Sequence, residues 1–101
     1  MSKSAQFNSQ PALEAAARFG ERIRRVRKAQ GRTLADLEAS SRIHRQTLAR
    51  MERGDPTVSL GVALIALESL GQLADIELLV GQPEAARPRA AEDAEPLERD
   101  F

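Results

Sequence analysis

Residues 33–54, TLADLEASSRIHRQTLARMERG, decide how the chain is read. Leu34, Leu37, Ile43, Leu48 and Met51 form two short apolar stripes at helical spacing, and the polar cluster Ser40-Ser41-Arg42 separates them. The pattern predicts a helix, a tight turn and a second helix. Thr33 precedes the first stripe with Asp36 three residues on, close to a capping box, although aspartate is short for the reciprocal bond. The first helix of the pair is expected over about 34–40. The second is expected to begin at His44 and end at Gly54, with Arg50 and Arg53 in a last turn where cations suit the helix dipole.

The outer side of that second helix would carry His44, Arg45, Gln46 and Arg50. Arginine can donate a paired hydrogen bond to guanine, and glutamine can make one with adenine, in the major groove of a duplex. The stretch therefore reads as a DNA-reading element. The plainer alternative is a helical hairpin with a solvated basic face.

Working outward, Pro11 suits the first turn of a helix, and Phe19, Ile23 and Val26 make a core-facing stripe that Gly31 can end, giving a helix over roughly 12–30. Residues 1–11 are polar, with Lys3 as the one charge and Phe7 isolated, and are expected to be a flexible arm. Arg18, Arg22, Arg24, Arg25, Arg27 and Lys28 lie on the other faces of the helix. Six cations cannot all face one surface, so phosphate contact is the reading for a few and solvation for most. Beyond the central stretch, Asp55-Pro56 forces a turn and Ser59 can cap a fourth helix carrying Leu60, Ala63, Leu64, Leu67 and Leu70. Val62 and Ile65 fall off that stripe, which suits a helix central to the core or one in a dimer contact. After Gly71, Leu73, Ile76, Leu79 and Val80 fit a short fifth helix, while the alternation of Ile76, Leu78 and Val80 fits a strand; helix is favoured. Residues 81–101, with three prolines and mostly acidic charge, are expected to be a disordered acidic tail whose only anchors are Leu97 and Phe101. The folded domain then covers 12–80.

A chain of 101 residues supports one core. It has no cysteine, which excludes disulfides, thiolate metal sites and cysteine nucleophiles. No run of about eighteen apolar residues or secretion signal is present, so a cytoplasmic protein without a membrane span is expected. The single histidine, the lack of a glycine-rich phosphate loop and the scattered carboxylates argue against an enzyme, a metal site or a cofactor. The net charge of zero hides a division: residues 1–53 hold 12 Lys/Arg against 5 Asp/Glu, and residues 54–101 hold 3 against 10. A half at +7 suits a polyanion, because neutralised phosphates release their counterions.

These residues resemble the Xre/Cro-type helix-turn-helix proteins, which include phage repressors and the HipB-type antitoxins. The likeness covers about residues 15–80 and is carried by RIRRVRKAQG, TLADL, Leu48, Met51 and Glu52-Arg53-Gly54; the later DPTVSL and ALIALESLG look more like the HipB branch. The resemblance implies an all-α, lambda-repressor-like bundle of about five helices. It places base reading on His44, Arg45, Gln46 and Arg50, backbone contacts on Thr33, Thr47 and Arg53, and an ion pair between Arg27 and Glu52. Four positions depart from the family pattern. Leu34 replaces a phosphate-touching glutamine, Glu38 a small residue between the motif helices, Arg42 a turn glycine, and His44 a capping serine or threonine. Either the motif has lost its duplex, or its helices stand slightly farther apart.

The function implied is a transcriptional regulator, a repressor, binding operator DNA as a homodimer with its reading helices about 34 Å apart. Two alternatives stand beside it: an antitoxin that also binds a toxin protein, and a protein-interaction module with a degenerate motif.

Overall fold

The chain begins its first helix earlier than the periodicity suggests. In the computed structural model, which describes residues 8–85, α1 spans Gln10–Ala29. The Ser9 hydroxyl accepts from the Ala12 N–H at 3.2 Å, and this cap draws Gln10 and Pro11 into the helix and out of the expected arm. Residues 1–7 of the arm, with Lys3 and Phe7, and the tail from 86 on, with Leu97 and Phe101, lie outside the described residues.

Helix α2, Leu34–Ser41, opens on a complete capping box. The Asp36 N–H donates to Thr33 Oγ1 at 3.0 Å, and the Thr33 N–H donates to Asp36 Oδ2 at 2.8 Å. Aspartate therefore reaches despite its length, and the Thr33 N–H holds the Asp36 carboxyl below the usual carboxylate range. At its other end α2 stops on Arg42, whose backbone is left-handed at φ 64° and ψ 23°. A non-glycine residue there costs on the order of 1 kcal/mol. Arg42 thus takes the left-handed backbone that glycine usually supplies in this turn. After it comes α3, Arg45–Glu52, which closes over Gly54 at φ 87° as the Asp55 N–H returns to the Arg50 carbonyl at 3.0 Å.

Helix α4, Leu60–Ser69, is capped by Ser59 as expected, its hydroxyl accepting from the Val62 N–H at 3.1 Å. Its buried face is Ala66 and Leu67, continued by Leu70, while Leu60 is 66 % exposed. The predicted stripe thus holds in the second half of the helix and fails in its first turn, where Val58 packs on the core and Leu60 projects beyond it. The fifth element, Leu73–Leu78, is a 3-10 helix, and no strand occurs among the described residues. Its period of three aligns Leu73 with Ile76, and it ends at Leu78, where Leu79 is extended. Only Ile76 packs on the core; Leu79 and Val80 are exposed. Pro83–Ala85, in the stretch read as tail, form a single 3-10 turn.

The bundle is all-α. Helix α1 packs on α3, α2 on both α3 and α4, and α4 on the 3-10 helix. Ile23, Leu37, Leu48, Met51, Ala66, Leu67 and Leu70 are the buried core. Two features bring α1 and α3 together. Gly20 is buried where a Cβ would run into the Met51 and Glu52 carbonyls, the latter oxygen at 2.7 Å, so only glycine allows this approach. Beside it, Arg27 donates through Nε to Glu52 Oε2 at 2.7 Å and through Nη2 to Oε1 at 2.9 Å, and Nη1 donates to the Arg32 carbonyl at 2.8 Å. Both side chains are buried, and the bond to Glu52 raises the Arg27 pKa. A buried charge is tolerable when paired this completely.

Candidate nucleic-acid interface

Burial of Leu48, Met51 and Glu52 fixes which way α3 turns, and the opposite face is left to solvent. His44, Arg45 and Gln46 are consecutive exposed residues at its start, and Thr47 behind them is half-buried. His44 does not cap the helix: its side chain makes no bond to the α3 amides and stands 81 % exposed, with Nδ1 3.8 Å from Glu38 Oε2. The ring leans toward that carboxylate instead. Gln46 is exposed on the same face as Arg50, one turn later.

The two arginines of this face differ in their bonding. Arg45 donates through Nε to Glu38 Oε1 at 2.8 Å, and its side chain is 59 % exposed. Arg50 donates through Nε to Asp55 Oδ2 at 2.9 Å and through Nη2 to Thr57 Oγ1 at 3.1 Å, so two of its three nitrogens serve the loop after α3. Asp55 also accepts from the Thr57 hydroxyl at 2.6 Å and the Thr57 N–H at 2.8 Å. The Thr57 bonds first, and Arg50 after them, pull the Asp55 pKa down to about 2. Arg50 therefore joins the exposed set by position while its guanidinium anchors a loop.

Thr33 stands exposed at the start of α2 and spends Oγ1 on the cap, and Arg53 is exposed at the far end of α3. Arg18, Arg22, Arg24, Arg25 and Lys28 are exposed on α1, whereas Arg27 is buried in its ion pair. The residues that sequence reading did not assign are Glu38 and Asp55, the two carboxylates that hold the α3 arginines. Glu38 was visible only as an odd residue between helices. In the folded chain it is half-buried and its carboxylate meets Arg45 at the start of α3. Arg32, in the loop before α2, was also unassigned, and it ties α2 to α4 by donating to the Ser40 hydroxyl at 2.5 Å and to the Ser69 carbonyl at 2.7 Å.

Two helices joined by a three-residue turn, the second seated by its buried face with an arginine and glutamine edge turned out, define a helix-turn-helix protein. A helix-turn-helix family model matches residues 23–76, just over half of the 101, and the chain belongs to that family, the Xre/Cro-type helix-turn-helix of DNA-binding transcription regulators. Neither the curated proteins nor the solved structures contain a significant match to the chain. Among the described residues no helix is long and apolar enough to cross a membrane.

Proposed function

We propose that the chain is a sequence-specific transcriptional repressor that reads operator DNA with the first turn of α3. The observation that carries this reading is the exposure of His44, Arg45 and Gln46 together at the start of a helix whose other face is locked into the core. Arg45 to guanine and Gln46 to adenine are the base contacts that side-chain geometry favours. Thr33 at the start of α2, Thr47 within that turn and Arg53 at the far end of α3 supply backbone contacts, which set register without reading sequence. Arg50 contributes less to base reading than Arg45, because two of its nitrogens are bound to Asp55 and Thr57.

The protein acts as a homodimer in the cytoplasm. Leu60, Ile65, Leu73, Leu78, Leu79 and Val80 are exposed on α4 and the segment that follows, and a second copy covering that apolar surface would remove it from water. A two-fold pair then presents its reading helices to half-sites one turn of duplex apart, about 34 Å.

Selection from a randomised duplex pool tests the proposal. The wild-type protein should enrich a two-fold symmetric sequence, and Arg45→Ala and Gln46→Ala should each lose preference at one base pair per half-site, by about 10- to 100-fold. Indifference of both variants would remove these residues from the site.

A further inference from the structure

Glu38 is an acidic side chain placed beside a surface that, on the reading just given, approaches a polyanion. Removing it would relieve repulsion with phosphate, so its presence calls for a physical reason. Its carboxylate reaches across the turn from α2 to the first residue of α3, seven positions on, where Oε1 accepts from Arg45 Nε at 2.8 Å. That bond uses one of the three guanidinium nitrogens. Among the described residues neither Nη of Arg45 has a partner, and these two side-by-side groups are the fork that can donate to O6 and N7 of one guanine. Arg50 supplies the contrast within the same helix, since one arm of its fork, Nη2, is already bonded to Thr57 as well as its Nε to Asp55.

An untethered arginine on a long flexible stem finds phosphates as readily as bases, and phosphate contacts carry no sequence information. A guanidinium held through Nε has its plane oriented and its Nη pair left free. We propose that Glu38 is a positioning residue for DNA readout: it holds Arg45 with its Nη edge open to a guanine, and it weakens binding to every other sequence by placing a negative charge near the backbone. Discrimination is the difference between those two effects, so the carboxylate raises specificity while lowering general affinity. The inference rests on the reading of α3 as the DNA-contacting helix.

The test uses the full chain and fluorescence anisotropy on three kinds of duplex: the sequence selected by the wild type, that sequence changed singly at each base pair, and a random one. Glu38→Gln keeps the size of the side chain and removes its charge. It should tighten binding to the random duplex and reduce discrimination at a single guanine by about tenfold, at the same base pair that Arg45→Ala affects. In the Arg45→Ala background, Glu38→Gln should leave that discrimination unchanged. A purely structural Glu38 would weaken all three duplexes together, and that result overturns the proposal. So does an unchanged base preference in Glu38→Gln when the wild type does enrich a sequence. A wild type that enriches no sequence removes this inference and the proposed function at once.

Discussion

The same chemical pair occurs at the back and at the front of α3, and it does different work in the two places. At the back, Arg27 Nε meets Glu52 at 2.7 Å with both side chains buried; at the front, Arg45 Nε meets Glu38 at 2.8 Å with the arginine largely in water. The bond lengths hardly differ. What separates the two pairs is burial and the number of donors used: all three nitrogens of Arg27 are bonded, against one of Arg45. A closed, desolvated pair stabilises the helix contact and has nothing left to offer a ligand. An open, solvated pair adds little to stability and keeps a fork available.

The largest expected effect comes from removing one acid of each pair. Glu52→Ala strands a buried guanidinium and should cost about 3–5 kcal/mol in urea unfolding. Glu38→Ala, at a partly exposed site, should cost under about 1 kcal/mol. Equal losses would break the distinction between back and front. The glycine contact behind α3 should come next: Gly20→Ala pushes a methyl group into the Met51 and Glu52 carbonyls and should destabilise by about 1–3 kcal/mol in the same assay. A neutral result would mean that α1 can draw back without disturbing Glu52. At the front, Arg42→Gly relieves a left-handed arginine and should raise stability by roughly 1 kcal/mol, with the DNA preference kept if the turn geometry is unchanged.

The smallest effect sharpens the placing of Arg50. Asp55 titrates at about 2 in the folded chain against an ordinary 3.8, so folding favours its ionised form. Its contribution is complete above 3.8 and is lost as pH falls from 3.8 toward 2. The wild-type urea midpoint should decline through that window more steeply than that of Asp55→Asn. Parallel curves would show that the Asp55 contacts with Thr57 and Arg50 do not hold the loop.

Local chemistry makes much of this fold legible in the sequence. The helix pair, the caps at Thr33 and Ser59 and the glycine stops follow from nearest neighbours in the chain, and the Arg27–Glu52 pair followed from the family resemblance. What stayed hidden depends on how separate elements meet. Gly20 reads as a poor helix residue until α3 lies against it. Glu38 looks like a fault in a helix interface until the left-handed Arg42 swings α3 round and sets Arg45 beside it. The apolar run after Gly71 reads as a helix in outline, yet the 3-10 helix stops at Leu78 and Leu79 and Val80 beyond it are uncovered, which no periodicity count distinguishes. Arg50 has the spacing of a base reader, and only the fold of the Asp55–Thr57 loop engages its donors.

Amide NMR of the full chain titrated with its selected duplex tests the central claim most directly. Shifts concentrated at Thr33, at 44–47 and at Arg53, with little change around Gly20 or at 78–80, are the result expected if the front of α3 meets the bases. Shifts that spare 44–47, or a duplex that moves no amide at all, would contradict it.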